Sequence, residues 1–258
     1  MPSDPYSAAL NILTATATQR VWSVLVSVFG DLARHEGEGI DGPVLTALMA
    51  EAQIKPEATR VALHRLRNDD WITSTKSGRT SHHSLTRTGR KLSLAASARI
   101  YSTPDEAAQG WQLVLLETAT SESREQMEAQ GFAPLAPRLY IGADTATAPA
   151  GTLALPATAA PRWLGAQFEP KDLSQDYAAL YERLAALDAL KLDATALSPI
   201  QIGVLRSLIV HGWRRLVLKH PDLPPEVYSD AWRGHDCRAL VTGLLARLPR
   251  PGLSALHD

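Results

Sequence analysis

Three polar side chains, Arg60, His64 and Arg67, follow one another at intervals of four and three residues, which places them on one face of an α-helix. In the major groove an arginine can donate two parallel hydrogen bonds to O6 and N7 of guanine, which discriminates against other bases by about 1–3 kcal/mol. The apolar residues of the segment gather on the opposite side. We therefore predict that this face contacts DNA, with Thr59 as a neighbouring contact; a solvated helix face would show the same pattern.

A short hairpin is predicted directly after this helix. Two runs of strand-forming residues, around Ile72 and from Ser81 to Leu85, are separated by a turn that contains Gly78. Lys76 and Arg79 lie at its tip, where their charges can contact phosphate groups or the minor groove and add affinity without reading sequence. A helix, a basic hairpin and a second helix in succession are the element order of a winged helix-turn-helix.

Positive charge is concentrated in this region. The segment from Lys55 to Arg99 contains ten lysines and arginines and three acidic residues, whereas the formal net charge of all 258 residues is −1. The remainder of the chain is therefore net acidic. A cationic block in such a protein indicates a polyanionic partner, here double-stranded DNA.

The composition indicates a globular protein with two or three small domains. Hydrophobic residues make up 45% of the chain and charged residues 21%, proportions that exclude wholesale disorder. Cys237 is the only cysteine, so no intrachain disulfide can form, and a reducing cytoplasm is the expected location. We find no targeting signal and no apolar run of about 20 residues, and we expect no membrane association.

Helices are also predicted on either side of the basic hairpin. Residues 18–34 have apolar residues at helical spacing, and the glycines of residues 36–42 end this first helix. Asp41 is predicted to cap the second helix, and Pro56 to begin the third. Thr86 is predicted to cap the helix that follows the hairpin.

A second unit is predicted from Trp111 onward. Residues 111–117 form a short apolar run typical of a buried strand, residues 122–130 a polar helix, and residues 138–142 another strand, which suggests a small α+β sandwich. The Ala-, Thr- and Pro-rich residues 143–161 are predicted to be a loop. Three helices are expected thereafter, at 173–190, 199–219 and 235–248. The middle one is apolar around most of its circumference, so a subunit interface or a ligand is expected to cover it.

Two clusters of reactive side chains are better explained by structure than by chemistry. His82 and His83 are adjacent on a strand, so they point to opposite faces and cannot bind one metal ion together. His235, Asp236 and Cys237 are consecutive, which prevents the geometry of a catalytic triad. We expect no catalytic residue, no metal site and no cofactor, and hence no enzyme.

Several motifs match a known family. In the basic region they are R-x-A-L-x-R-L at 60–66, Trp71, Gly78-Arg79 and L-T-x-x-G at 85–89. In the C-terminal part they are H-G-W-R-R-L-V-L at 211–218, P-D-L-P-P-E at 221–226 and A-W-R-G-H-D-C-R-A-L at 231–240. Over nearly its whole length the chain resembles the PaaX-like repressors, the regulators of phenylacetic acid catabolism. Asp70 stands where the family commonly has glycine, and His83 where it has tyrosine.

The resemblance implies an α+β fold that is mostly helical and has three consecutive domains. These are an N-terminal winged helix-turn-helix at 1–103, a middle ferredoxin-like (Cas2-like) domain at 104–170, and an all-helical C-terminal effector and dimerisation domain at 171–258. It also implies a sequence-specific repressor of an aromatic-acid catabolic operon that binds its operator as a homodimer. An aryl-acyl-CoA thioester, usually phenylacetyl-CoA, would release it.

Two alternatives are kept. The first is a winged-helix regulator with a ligand other than a CoA thioester. The second is a metal-dependent nuclease that acts through Glu117 in the Cas2-like domain, for which the sequence shows no second carboxylate.

The C-terminal part contains the candidate effector-binding residues. A thioester with an aryl group needs an apolar slot, and its nucleotide phosphates need cations. Trp213 is flanked by cations, and Arg162 lies beside Trp163. The same residues also fit an aromatic core position and an arginine-rich helix between two subunits. The candidates are Arg162, Trp213, Arg214, Arg215 and Lys219.

Overall fold

The structure is a computed structural model that describes residues 4–15 and 20–257. Within these residues the fold is mixed α+β and mostly helical, with two small antiparallel sheets, as the sequence predicts. The chain forms two compact units, each assembled from separate stretches of sequence. Unit 1 takes its described residues from Met1–Tyr101, Leu180–Arg215 and Leu240–Asp258, and unit 2 from Ser102–Ala179 and Leu216–Ala239. The three consecutive domains expected from the sequence remain a prediction.

The amino-terminal stretch of unit 1 contains helices and a three-stranded sheet in which β3 lies between β1 and β2. The helix predicted at 18–34 begins at Val21 and ends at Leu32, and Thr18 and Gln19 lie outside the described residues. The elements are α1 (Pro5–Thr14), α2 (Val21–Leu32), β1 (Ile40–Asp41), α3 (Gly42–Glu51), α4 (Pro56–Asn68), β2 (Ile72–Ser77), β3 (Thr80–Leu85) and α5 (Arg87–Ile100).

Helix α4 forms where the sequence predicts a third helix. Pro56 occupies its first turn, where the missing N–H has no helical partner to lose. Ala62, Leu63 and Leu66 are buried, so one side of the helix faces the core of unit 1. The basic face is therefore held outward by the packing of the opposite face.

A Schellman turn ends α4 and begins the hairpin. The Asp70 N–H donates to the Arg67 carbonyl at 3.2 Å, and the Trp71 N–H donates to the Leu66 carbonyl at 2.9 Å. Asp70 has a φ of +53°, in the left-handed region. The position at which the PaaX-like pattern commonly has glycine thus requires a backbone conformation that aspartate tolerates better than most side chains.

The hairpin has a two-residue turn. Ser77 pairs with Thr80, so that Gly78 and Arg79 form the tip, and Gly78 has a φ of +61°. At the base of the hairpin, the Thr86 hydroxyl accepts a hydrogen bond from the Gly89 N–H at 2.9 Å and caps α5, as predicted.

Two motif positions at the base of the hairpin are fixed by close packing. A Cβ on Gly89 would lie 2.2 Å from the Trp71 carbonyl oxygen, a distance that no side chain permits. The Thr86 hydroxyl also donates to the Asp70 carbonyl at 2.5 Å. The L-T-x-x-G motif therefore attaches the hairpin and α5 to the turn at the end of α4.

Asp41 occupies the N-cap position of α3, as predicted, but its side chain serves another contact. The side chain makes no capping hydrogen bond. Its carboxylate instead lies 2.7 Å from Nδ1 of His82 on β3. Sequence spacing suggested the cap, whereas the pairing of β1 with β3 brings His82 within reach.

The C-terminal helices agree with the prediction to within a few residues. They are α8 (Lys171–Ala189), α9 (Pro199–Val217) and α10 (Gly234–Arg247). A Cβ on Gly203 of α9 would meet side-chain atoms of Leu48 at 3.2 Å and Leu32 at 3.4 Å, so α9 packs closely on α2 and α3 in unit 1. The expectation that a subunit interface or a ligand covers α9 is wrong for this part of the helix, because the same chain covers it. None of the helices in residues 4–15 and 20–257 is both long and apolar enough to cross a bilayer.

A buried ion pair connects α2 with α9. Arg206 donates from Nε and Nη2 to the two carboxylate oxygens of Asp31 at 2.9 and 3.0 Å, and the Asp31 side chain is 1% exposed. Arg206 also donates to the Leu245 carbonyl at 3.1 Å and to the Leu248 carbonyl, and the Tyr101 hydroxyl donates to Asp31 at 2.8 Å. Elements from both ends of the chain thus share one hydrogen-bond network in which both charges are satisfied.

A second polar contact between α2 and α9 surrounds His211. Its Nδ1 lies 3.3 Å from the Ser27 hydroxyl, and Arg214 donates to that same hydroxyl at 2.7 Å. Burial, together with repulsion from Arg214 and Arg215, lowers the pKa of His211 to about 4. His211 is therefore neutral in the folded protein at neutral pH.

Unit 2 contains a four-stranded antiparallel sheet with the order β5-β6-β4-β7. Its core side chains come from β4, α6, β6 and adjoining residues and are Val114, Leu116, Met127, Phe132 and Tyr140. The elements are β4 (Trp111–Leu115), α6 (Ser121–Ala129), β5 (Ala133–Ala136), β6 (Leu139–Ala143), β7 (Leu153–Ala157) and α7 (Arg162–Phe168).

The predicted loop at 143–161 is wrong, since it contains β7. This strand pairs with β4 from Trp111↔Ala157 to Leu115↔Leu153 and forms an edge of the sheet. Pro156 and the many alanines conceal the strand in the sequence, and an edge strand tolerates proline because its outward N–H needs no partner. Between β6 and β7 the chain makes turns and contains no helix in residues 144–152.

We expect the buried ion pair to be essential for the stability of unit 1. Arg206→Met leaves Asp31 charged and buried without its partner, so the free energy of unfolding should fall by about 3–5 kcal/mol. Adding Asp31→Leu removes the second charge and should restore part of this loss.

Urea unfolding measures the free energy of unfolding of both variants. Asp176→Ala, which breaks the exposed Lys219–Asp176 pair, is the control and should change stability by less than about 1 kcal/mol. A loss of less than about 1 kcal/mol in Arg206→Met would contradict the assignment.

The low pKa of His211 predicts a stability that depends on pH. Below pH 6.5, the ordinary histidine pKa, His211 binds a proton in the unfolded chain. In the folded protein it does so only below about pH 4. The contribution of His211 to the free energy of unfolding is therefore fully present above pH 6.5 and decreases as the pH falls, by about 2 kcal/mol at pH 5. His211→Gln should lose less stability than the wild type between pH 7.5 and pH 5 in urea unfolding. The exposed His64→Gln is the control, and equal losses in wild type and His211→Gln would refute the explanation.

Candidate nucleic-acid interface

The polar face of α4 is exposed in the structure. Arg60, His64 and Arg67 are all solvent-exposed, whereas Leu63 and Leu66 of the same helix are buried. This arrangement agrees with the face predicted from their spacing. Contact with DNA itself remains a prediction.

The two arginines of this face are free to exchange their partners. Arg60 forms an ion pair with Glu57 at 3.1 Å, but the two side chains are 73% and 72% exposed. Exposed ion pairs of this kind contribute about 0–1 kcal/mol to stability. A phosphate or a guanine can therefore replace Glu57 as the partner of Arg60 with little loss of free energy. Arg67 makes only a long contact of 3.5 Å with the Ser74 hydroxyl of β2.

His64 contacts Asn68, one helical turn further along α4. Nδ2 of Asn68 lies 3.4 Å from Nδ1 of His64, so a neutral imidazole that accepts this hydrogen bond carries its proton on Nε2. Nε2 is then a donor on the exposed face. Asn68 itself is exposed one helical turn further on and was missed in the sequence, although asparagine can pair with adenine in the major groove.

The prediction for Thr59 is corrected. Its side chain is 5% exposed, and its hydroxyl donates to the Lys55 carbonyl at 3.2 Å within the helix. Thr59 belongs to the buried face of α4 together with Ala62 and Leu66, because it precedes Ala62 by three residues and Leu66 by seven. We therefore remove it from the interface.

Arg65 contacts neighbouring side chains of the fold. Its Nε lies 3.4 Å from the Asp69 carboxylate, and its guanidinium lies 4.6 Å from the centre of the Trp22 ring. The cation–π contact places the Arg65 guanidinium against Trp22 of α2, a contact that Arg60 and Arg67 do not have. Arg65 is thus set apart from the outward arginines of the same helix.

The hairpin tip adds exposed positive charge. Lys76 lies on β2 one residue before its end, and Arg79 is the second residue of the turn; both are exposed. Neither forms an ion pair with any residue in the part of the chain that the structure describes. Both cations can therefore meet phosphate without losing an existing partner.

The two adjacent histidines of β3 have separate structural roles. His83 is buried, and its Nδ1 lies 2.8 Å from the Ser74 hydroxyl on β2. Burial lowers its pKa, and repulsion from Arg67 and His82 acts in the same direction. His82 faces Asp41 instead. In residues 4–15 and 20–257 we find no group of three metal-ligating side chains.

Two of the predicted effector-binding residues have structural roles in unit 1. Trp213 is 1% exposed, and its indole N–H donates to the Ile100 carbonyl at 2.9 Å, so its ring presents no surface to a ligand. Arg214 donates to the Ser27 hydroxyl at 2.7 Å and to the Ser23 carbonyl at 2.9 Å. Both predictions are corrected, since these side chains hold α9 against α2 and α5.

The other three predicted effector-binding residues are exposed cations. Arg215 is exposed at the end of the α9 segment of unit 1, and Lys219 forms an exposed pair with Asp176 at 3.4 Å in unit 2. Arg162 lines a cavity of about 690 Å³ in unit 2. The same cavity is lined by three acidic residues, Glu169, Glu226 and Asp230. Their charge disfavours the phosphates of a coenzyme A, so the cavity gives no support to a site at Arg162.

The C-terminal motif builds an aromatic cluster in unit 2. The Tyr228 and Trp232 rings stack at 4.6 Å, and Nε2 of His220 lies 2.6 Å from the Tyr177 hydroxyl. A Cβ on Gly234 would lie 2.4 Å from Nε1 of Trp232, which explains the glycine in this motif. Its most distinctive residues therefore maintain the fold.

An ion pair accompanies this cluster. Arg238, 4% exposed, donates to Asp222 at 2.6 Å and to the Ser102 hydroxyl. Asp236 lies in the first turn of α10, as predicted, and pairs with Arg233 at 2.9 Å, while Cys237 is buried. The His235 ring lies 5.6 Å from the Tyr228 ring, and Sγ of Cys237 lies 3.6 Å from the Tyr177 carbonyl, so the three consecutive residues make different structural contacts.

Glu117 is exposed and follows the end of β4. It belongs to no metal-binding cluster of the described residues. No observation favours a nuclease.

Comparisons with known proteins agree with the motifs. The model of the PaaX-like protein family matches residues 20–89, and the model of the PaaX-like protein C-terminal domain matches residues 168–257. The chain is 28% identical to the transcriptional repressor PaaX of Escherichia coli (strain K12), in an alignment that covers 97% of this chain and 86% of that protein. An uncharacterised protein from Mycobacterium tuberculosis has a similar fold, with a TM-score of 0.50 and 22% identity over 92% of this chain and 98% of that one.

The two family models together span α2, α3, α4 and the hairpin at one end of the sequence and α8, α9 and α10 at the other. They include the L-T-x-x-G motif at the hairpin base and the aromatic cluster of the C-terminal motif, whose packing explains those residues. From these matches and the repressor relative, we conclude that the chain belongs to the PaaX-like protein family.

Proposed function

We propose that this protein is a transcriptional repressor that binds duplex operator DNA through a winged helix-turn-helix. Helices α3 and α4 are its helix-turn-helix, α4 is the recognition helix, and β2 and β3 are the wing. The observation that carries the proposal is the face of α4: its cations are exposed while its opposite side is buried, and a cationic hairpin follows directly. The similarity to a transcriptional repressor supports the same function.

The side chains divide into readers and anchors of DNA. Arg60, His64 and Arg67 present donors that suit guanine O6 and N7 in the major groove. Lys76 and Arg79 are placed on the wing, where they neutralise phosphate charge and release counterions. Sequence choice therefore resides in α4, and most of the salt dependence is expected from the wing.

The remaining features of the proposal follow from the family resemblance. We propose a homodimer in the cytoplasm that binds a palindromic operator of a phenylacetate-type catabolic operon, as a regulator and not an enzyme. The middle domain is proposed to be ferredoxin-like: the order β5-β6-β4-β7 is the one that this fold uses, although residues 144–152 lack its second crossover helix. The helical C-terminal region completes the three-domain arrangement.

Phenylacetyl-CoA or a related aryl-acyl-CoA is the proposed effector. It would favour a state of the dimer in which the two recognition helices no longer match half-sites one helical turn apart. Of the predicted contacts, Arg162, Arg215 and Lys219 remain available as exposed cations, with the acidic cavity weighing against Arg162. A ligand other than a CoA thioester is the alternative.

We expect readers and anchors to respond differently to alanine. On an operator selected from a random duplex pool, Arg60→Ala should cost about 1–3 kcal/mol and relax specificity at one base pair per half-site. Lys76→Ala should weaken binding to all duplexes alike and reduce the slope of log K against log salt by about 1. Fluorescence anisotropy at several salt concentrations measures both. Arg124→Ala, an exposed cation of α6, is the control and should change neither quantity. If Arg60→Ala leaves specificity intact, α4 is not the reader.

We expect phenylacetyl-CoA to bind the protein and to release it from the operator. At 100 times its Kd the ligand should raise the free energy of unfolding by about 2.7 kcal/mol. Thermal shift and operator titration measure the two effects, with free coenzyme A and acetyl-CoA as controls. Arg215→Ala and Lys219→Ala should lower the affinity for the ligand and leave the affinity for the operator unchanged. Lys171, an exposed lysine of α8, provides the control, because Lys171→Ala should leave the affinity for the ligand unchanged. An unchanged melting temperature with every aryl-acyl-CoA would reject the effector and favour the alternative.

A further inference from the structure

Val61 is an exposed aliphatic residue within the recognition helix. Its side chain is 71% exposed, the highest fraction among the large hydrophobic residues that the structure describes as exposed. It contributes no burial to the fold, and a β-branched residue is a weaker helix former than alanine or leucine. The folding of α4 therefore gives no reason for a valine at this position.

The position of Val61 on the helix places it among the proposed readers. At about 100° per residue, Val61 lies about 60° from His64 and about 100° from Arg60, all on the exposed side. It points about 140–160° away from Leu63 and Leu66, which face the core. Val61 thus lies on the exposed side of α4, next to His64 at one edge of the face formed by the proposed readers.

We propose that Val61 is a specificity-determining residue that packs on the 5-methyl group of a thymine in the major groove. This inference rests on the proposed function. The thymine methyl is the only apolar group that the four bases present in that groove. Against another base, the branched side chain would remove water from polar groups and offer them no hydrogen bond.

The charge around Val61 favours DNA as the occupant. Arg60 and Arg67 lie on one side of it, about 100° and 120° around the helix, and both are exposed with weak partners. A protein partner would have to bury these cations with Val61, whereas the phosphates beside a major groove neutralise them while the methyl contact forms. Arg65, on the other side, is held by Asp69 and Trp22 and leaves Val61 uncovered.

The test replaces each thymine of the selected operator by deoxyuracil, which removes one methyl group and no hydrogen-bonding group. The wild type should lose affinity about fourfold at one thymine in each half-site, the factor that corresponds to roughly one buried methyl-sized group. Val61→Ala should lose a similar factor on the unmodified operator and should no longer respond to the deoxyuracil at that position. Fluorescence anisotropy at one salt concentration gives both ratios.

Two controls separate the contact from general effects. Leu94→Ala removes an exposed aliphatic side chain from α5 and should keep the response to deoxyuracil. Arg60→Ala should weaken binding but also keep that response. Wild-type protein that binds its operator with no thymine sensitive to methyl removal, or Val61→Ala that keeps the sensitivity, overturns the assignment. Failure of the wild type to select any duplex overturns the proposed function itself, and the role of Val61 with it.

Discussion

The pairing of Asp31 with Arg206 holds unit 1 together. An isolated charge costs several kcal/mol when it is removed from water, and neither side chain has solvent to compensate it. Each charge is satisfied only when α2, the end of α5, α9 and the carbonyl groups near the end of α10 are all in place. The network therefore specifies one arrangement of these helices, and α4 is packed on that arrangement with its cationic face outward.

The elements predicted best are those whose signals are local. The face of α4, the hairpin turn at Gly78 and the Thr86 cap depend on residues a few positions apart, so spacing and side-chain type are sufficient to find them. Strand β7 was missed because an edge strand depends on its partner β4 across about forty residues and has little apolar alternation of its own. The contact of Asp41 with His82 was not predicted for a related reason, since His82 approaches Asp41 only through the pairing of β1 and β3.

Arginine shows most clearly what the sequence alone does not reveal. Arg60 and Arg67 are exposed, whereas Arg206 and Arg238 are buried against Asp31 and Asp222. These partners are 175 and 16 residues away in sequence. No local sequence pattern therefore distinguishes an arginine exposed on α4 from an arginine that is buried in an ion pair. Trp213 and Arg214 were assigned to an effector on their types and spacing, and their contacts with Ile100 and Ser27 appear only in three dimensions.

Unit 1 is built from the beginning and the end of the chain, which has a consequence for biosynthesis. Helix α2 is made early, but the partners of Asp31 and Ser27 on α9 are translated about 180 residues later, and Leu256 near the end also approaches α9. A ribosome-bound chain therefore carries α2 with these polar groups unmatched until α9 has been made. A chain that stopped before α9 would therefore leave Asp31 and Ser27 on α2 without their partners, and unit 1 would be incomplete.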